Sequence, residues 1–442
     1  MEAGFTHKSH WLRLPRIFAG VMLAGFVGGC AVQGNLPGAS PAGQGVARAN
    51  SVIAEEFLAL MFETEGGVRI PRLLKYEEPV RVMMDPALAA YQGDLEQVIR
   101  QIRRRAGVDI AVTTGAAQIR IQQVPAAALR RVYPTAACVV VPGVASFAQF
   151  QRGQYPRWSR QSRLERATVF IPDNAPPYIV RACLNEEIAQ ALGPVNDLYR
   201  VSDTVFNDDN VFNSLTEYDL LILKLLYSPE LQQGMGQAAV RTRLPALLAQ
   251  LNPAGTQNGT ASRGDRRWQR LIETAMNSRN ARPARLTAAT QAVERARRLG
   301  DSRLIHSLLI YGRLTLRNRA DLAAPAFQEA YALAQRQLGP DNLRTALAAM
   351  HVAAVAMNAG RYQDVLTLTT PALATARRYK DPVMIAGIQG MRALALARLG
   401  QNRAAQAARL DSLAQARYAF GENAQQIAVA QAEIEGLMPD NQ

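Results

Sequence analysis

Between residues 267 and 437 the sequence returns on itself about every forty residues, and this period constrains the fold more than any other feature of the 442-residue chain. Gly360-Arg361-Tyr362 recurs as Gly400-Gln401-Asn402, and Leu338-Gly339-Pro340-Asp341 recurs as Tyr379-Lys380-Asp381-Pro382 and as Phe420-Gly421-Glu422-Asn423. Nearly everything between these turn signals is helix former. The pattern predicts helix pairs at about 267–300, 302–339, 343–381 and 383–421, plus a closing helix near 423–437. One such pair cannot bury its apolar faces alone. Stacked pairs can, and the resulting superhelix has a concave side that suits a peptide or a protein partner. An irregular all-α domain is the other arrangement these helices allow.

The segment Asn358-Ala359-Gly360-Arg361-Tyr362-Gln363-Asp364-Val365-Leu366, followed by Pro371-Ala372-Leu373, resembles a tetratricopeptide repeat, with Ala405 at the small-residue packing position of the next unit. Val365 and Pro325 depart from the small residue expected there, so the array is divergent. His306 and His351 lie singly on these helices and suit packed or surface positions rather than metal ligation. A polar stretch at residues 252–265, with Pro253, Gly255, Gly259 and Gly264, marks the linker that precedes the array at 266–438.

Upstream the period changes. Residues 52–62 predict a helix, and Pro79-Val80-Arg81-Val82-Met83-Met84 a strand bounded by Pro79 and Asp85-Pro86. A helix over 95–105 follows. Strands are then expected at 109–113, 118–122, 137–141 and 168–172, before a helix that starts near Tyr178 and is stopped by Gly193-Pro194.

That last helix carries Glu186-Glu187-Ile188-Ala189-Gln190, the skeleton of H-E-x-x-H without its histidines. In the zinc pattern, ligands at i and i+4 share one helical face while the Glu at i+1 reaches the metal-bound water as general base. The ligand positions here hold Glu186 and Gln190, and the base position holds Glu187. Gly193 stands where the extended pattern needs a turn, and the third-ligand position falls at Asn196 or Asp197. The helical stripe of Val180, Cys183, Leu184, Ile188 and Ala191 runs through Glu187. A carboxylate there must be paired, hydrogen-bonded, metal-bound or protonated, which leaves both a structural acid and a functional one open. Histidine usage argues against a conventional catalytic zinc, because His7 and His10 precede the folded part and His306 and His351 lie in the array. A site of Glu186, Gln190 and Asp197 would suit a divalent cation such as calcium or magnesium, with no other cofactor implied.

The block from Cys183-Leu184-Asn185-Glu186-Glu187 through Asn196-Asp197 to Phe206-Asn207-Asp208-Asp209-Asn210, and the segment Leu215-Thr216-Glu217-Tyr218-Asp219 through Gln233-Gly234-Met235, resemble the domain of unknown function 2927 family. The resemblance implies a zincin-like fold over residues 51–236, in keeping with the order of strands before the central helix, and no demonstrated activity. The fold class expected is therefore an α+β zincin-like domain followed by an all-α, tetratricopeptide-like helical repeat array.

The first fifty residues predict export. Lys8, Arg13 and Arg16 precede an apolar run from Ile17 to Val27 that is short for a membrane span, and Val27-Gly28-Gly29-Cys30 resembles a bacterial lipobox. Residues 1–30 read as a lipoprotein signal peptide with Cys30 as the lipidated residue, and a plain N-terminal anchor is the alternative. Ala31 and Val32 lack the Asp that would favour inner-membrane retention, so an outer-membrane lipid anchor facing the periplasm is expected. Residues 31–50 have the Gly-, Pro- and Ala-rich composition of a flexible tether. In an oxidising periplasm Cys138 and Cys183 are a disulfide candidate pair, with two buried thiols as the alternative.

The formal charge is +14. Residues 176–235 carry nine acids against three bases, whereas residues 95–170 carry twelve arginines against Glu96, Asp109 and Glu165. Complementarity between two parts of one domain explains this, and so does a cation site using Asp197, Asp203, Asp208 and Asp209. Arg103-Arg104-Arg105 and the loop from Arg152 to Trp158 form either a solvated basic face or a site for anionic envelope components. Export argues against nucleic acid as the partner. These observations predict a binding scaffold for proteins or envelope polymers, anchored to the membrane by lipid. The alternative is an atypical metal-dependent peptidase or hydrolase with Glu187 as general base.

Overall fold

The structure is a computed structural model that describes residues 46, 48–64, 66–134, 136–152, 157–207, 211–255, 264–316 and 318–421. Cys30, the signal segment and the expected closing helix at 423–437 lie outside the described residues.

The chain enters through helix α1 (Asn50–Phe62) and reaches strand β1 (Val80–Met84). Helix α2 (Gln92–Gln101) runs on into a π-helical turn at Ile102–Ala106. Strands β2 (Ile110–Val112) and β3 (Ile119–Val124), helix α3 (Ala126–Val132), strand β4 (Val139–Pro142), helix α4 (Phe147–Gln151) and strand β5 (Ala167–Pro172) complete the sheet. The strand order is β2-β1-β3-β5-β4. All neighbours are parallel except β4, which pairs antiparallel with β5 at the edge. Parallel strands covered on both faces read as continuous apolar runs, and every residue of β5 is buried. One face holds the main core, and a smaller cluster of Val124, Leu129, Phe147, Phe150 and Phe170 fills the other with contacting rings.

Helix α5 (Pro177–Ala191) follows β5 and packs on β4, β5 and α2. A long connector then leads to helix α6 (Glu217–Leu226) and helix α7 (Gln237–Leu251). α7 packs against α1 and α6, and its Val240, Leu244, Leu247 and Leu248 join the main core, which thus extends past residue 236. Asn252 donates its side-chain amide to the Val46 carbonyl oxygen at 2.9 Å and to Asn50 at 2.9 Å, so the described end of the expected tether is docked onto the domain.

The array has four helix pairs among the described residues. They are α8 (Arg266–Met276) with α9 (Arg282–Leu299), α10 (Arg303–Thr315) with α11 (Ala320–Gln337), α12 (Leu343–Asn358) with α13 (Tyr362–Arg378), and α14 (Pro382–Arg398) with α15 (Asn402–Phe420). Each helix packs on the next, with alanines at the seams (Ala292, Ala330, Ala353 and Ala395 are all buried) where two backbones approach closely. A mixed α/β domain followed by an all-helical array is thus the observed architecture. Residues 266–421 carry twenty-four Arg and Lys against nine Asp and Glu, a net of +15. The excess charge of the whole chain therefore sits in the array.

Two aromatic contacts join the far end of the array to the first domain. Arg181 of α5 stacks its guanidinium 3.9 Å from the centre of the Tyr418 ring and donates to the Tyr418 carbonyl oxygen at 3.0 Å. Tyr178 meets Phe420 edge to face at 5.2 Å.

Candidate functional site

Helix α5 is fixed at both ends. Pro177 occupies its first turn, where a missing N–H costs nothing, and Gly193 just beyond its end has a φ of +141°. A methyl group on Gly193 would lie 2.5 Å from the Leu74 carbonyl oxygen and 2.7 Å from Leu226. The glycine in the box-plus-turn pattern is therefore demanded by backbone conformation and by a close approach. Midway along α5, a disulfide joins Cys183 to Cys138 beside β4, which settles the choice between a bridge and two free thiols.

Glu187 is 5% exposed, on the side of α5 that also buries Cys183, Leu184 and Ile188. Gln190 is buried too and donates its side-chain amide to Asp197 Oδ1 at 3.3 Å. Asn196, the neighbouring third-ligand position, donates instead to the Ala59 carbonyl oxygen at 2.9 Å. Glu186 is half-buried, and it, Glu187 and Asp197 are all engaged with neighbours. The structure thus brings Gln190 and Asp197 together. Among the described residues, no group of three or more His, Cys, Asp or Glu side chains is placed to hold a metal ion. The wider acidic set disperses: Asp203 pairs with Arg48, and Asp208 and Asp209 lie outside the described residues.

The strongest electrostatics lie nearby, in residues of which the sequence patterns single out Asp203 alone, and that as a cation ligand. Arg48 reaches Glu56 at 3.0 Å, bonds Asp203, and places its guanidinium 4.6 Å from the centre of the Tyr218 ring. Burial pushes the Glu56 carboxyl up and the Tyr218 hydroxyl well up, while Arg48 and Arg200 pull the carboxyl back down. Asp219 is fully buried and accepts from Thr216 N at 2.8 Å, Thr216 Oγ1 at 2.9 Å, Val205 N at 3.3 Å and the Thr204 hydroxyl. Thr216 and Asp219 form a reciprocal capping box at the start of α6, and burial raises Asp219 to about 7. The Thr216-x-x-Asp219 spacing was the sequence signal for this cap. Lys75 is a buried cation whose ammonium donates to the carbonyl oxygens of Leu226 (3.1 Å), Ser228 (3.4 Å) and Leu231 (2.6 Å), at the C-terminal end of α6 where a positive charge is favoured.

The described part of the connector between α5 and α6 is shared by the two domains: Leu198, Val201, Val205, Phe206 and Leu215 join the main core of the first, while other residues lie on the array. Tyr199 joins Trp268, Ile272 and Ile310 in one apolar cluster. The Arg200 carbonyl oxygen accepts from the Ser302 hydroxyl at 3.4 Å, and the Ser202 carbonyl oxygen accepts from Arg344 Nε at 2.6 Å. Val211 and Phe212 are buried among Leu343, Ala346, Ala372, Ala376 and Ile385, and Phe212 meets Tyr379 edge to face at 5.5 Å. Of the basic loop, Arg157 and Trp158 line a cavity of about 230 Å³ with Tyr133, Val68, Val140 and Pro142. None of the box residues lines it. Arg105 of the basic stretch pairs with Glu217, the one ion pair found between the two oppositely charged segments among the described residues.

Residues 50–246 match the family model described as a protein of unknown function (DUF2927), and the helical array follows that match. No curated protein matches the chain.

Proposed function

We propose that this chain is a cell-envelope lipoprotein that acts as a binding scaffold, with a zincin-like first domain whose box is a structural element and a tetratricopeptide-like array that receives protein or peptide partners. The observation that carries the reading is that the array already holds a segment of the chain's own connector, through two backbone acceptors and the aromatic side chains of Tyr199 and Phe212. The burial of Glu187 and the Gln190–Asp197 contact support a box that packs α5 into its domain. Lipidation at Cys30 and an outer-membrane address facing the periplasm belong to the same proposal, on the strength of Val27-Gly28-Gly29-Cys30.

Two measurements test it. Metabolic labelling with a fatty acid is expected to mark the wild-type chain and not Cys30→Ala. Affinity capture from envelope extracts is expected to retain a protein on the intact chain that is lost when the array is severed between residues 252 and 265. A capture pattern identical for intact and severed chains refutes the scaffold. The hydrolase reading keeps one supporting observation, the buried acid in the base position of the box. Stoichiometric metal in the purified protein, with peptide cleavage abolished in Glu187→Gln, would replace the scaffold with that enzyme.

A further inference from the structure

The array side of the connector contact has the make-up of a recognition groove. Arg303 and Arg344 stand forty-one residues apart, in the first turns of α10 and α12, and both are 3% exposed, with Arg303 bound to Asp301. Arg344 reads a main-chain carbonyl oxygen, that of Ser202, and Ser302 beside Arg303 reads that of Arg200. Both acceptors lie at a turn of the connector, closed by the Val201 N–H on the Leu198 carbonyl oxygen at 2.8 Å, and neither contact touches a side chain of the connector. Specificity enters farther along, where Ala346, Ala372 and Ala376 leave room for one ring and Tyr379 offers it an edge-to-face partner. An aromatic anchor in a small-residue pocket, flanked by main-chain hydrogen bonds, is a common division of labour in peptide recognition.

We propose that this groove is the array's ligand site, that its ligand is a protein segment with a turn like the connector's followed by an aromatic anchor, and that the chain's own Phe212 occupies the anchor pocket until such a segment displaces it. The inference deepens the scaffold reading by naming the chemistry of the partner. Its consequence is competitive: a site filled in cis binds an external segment more weakly by the fraction of time it stands open. Vacating the pocket therefore raises affinity without adding any contact.

The test titrates a labelled synthetic peptide with the sequence of residues 198–216 into the full chain and into its Phe212→Ala variant, followed by fluorescence anisotropy. The variant is expected to bind the peptide at least tenfold more tightly than the unmodified chain. A peptide with Phe212 replaced by Ala is expected to bind neither, and Tyr379→Ala added to the variant to abolish the gain. Equal affinities of the two chains overturn the proposal, as does undiminished binding of the Ala peptide. A doubled mass of the variant in gel filtration without peptide also overturns it, since the groove would then serve a second copy of this chain. Should Phe212→Ala lower the melting temperature of the first domain, Phe212→Leu keeps an apolar side chain on the connector, and the same comparison decides. The broader reading fails separately. Peptide binding to the vacated groove with no envelope protein captured sinks the scaffold and leaves the groove. Capture that is equal for the wild-type and vacated chains, with no peptide bound, does the reverse.

Discussion

Asp219 gives the sharpest test of how the connector is held. Burial raises its carboxyl from 3.8 to about 7, against the pull of four donors from Thr204, Val205 and Thr216. In the unfolded chain the group ionises near 3.8, so between about pH 4 and pH 7 the folded chain binds the extra proton. Stability from this group is then full below the unfolded value and is lost as pH rises through the folded one. At about 1.4 kcal/mol per pH unit, the loss between pH 4.5 and pH 7.5 is on the order of 3 kcal/mol. For a domain of this size that corresponds to roughly 6–12 °C in melting temperature. Asp219→Asn cannot titrate. The difference in melting temperature between wild type and Asp219→Asn, followed by far-UV circular dichroism at constant ionic strength, should therefore shrink by that amount across the window. His351 and Asp381 cancel in this difference because both proteins carry them. Parallel curves would refute the argument, because they would mean that the four donors outweigh burial and hold the carboxylate ionised throughout.

Three further outcomes are expected. Gly193→Ala should cost about 2–4 kcal/mol, from a positive φ and the collision with the Leu74 carbonyl oxygen, and a melting temperature within one degree of wild type would show that the turn relaxes freely. Replacing both Cys138 and Cys183 by Ser should lower stability by about 3–4 kcal/mol, the loop-closure value for a bridge spanning 45 residues, and an unchanged urea midpoint would contradict it. His351 stacks on Phe327 at 4.7 Å and is held neutral by burial, with its value lowered from 6.5 to about 3. The stability it contributes is therefore lost as pH falls from 6.5 towards 3, and His351→Leu should flatten the acid unfolding of the array. An acid midpoint that does not move with this substitution would count against it.

The elements followed from local sequence. Val80–Met84 is the strand expected between its flanking prolines and aspartate, and helices α11, α12 and α14 end within a few residues of the places set by Gly339, Gly360 and Gly400. Such features depend on neighbours a few positions away, which a period or a turn signal records. Glu187 was legible as a buried acid for the same reason: its stripe lies within one helix. The connector's place on the array was not, since Phe212 and Tyr379 are separated by 167 positions and nothing in either neighbourhood announces the other. The Arg48, Glu56, Asp203 and Tyr218 cluster was missed on similar grounds, with Arg48 counted as the end of a tether. Charge counting found an acidic segment and a basic one in the first domain, yet the surplus that gives the chain its sign belongs to the array.

The meeting of Tyr418 and Phe420 with Arg181 and Tyr178 has a consequence for how many repeats the protein can hold. An open solenoid tolerates the gain or loss of a unit, since each unit touches only its neighbours. Here both ends of the stack are tied to the same domain, one through the chain after α7 and the other through α15, so the stack must span a fixed gap. A forty-residue unit inserted between α13 and α14 would carry α15 past α5, and a deleted unit would leave it short. Repeat number is in this sense quantised by ring closure, and among the described residues four helix pairs return α15 to the helix bearing Glu187.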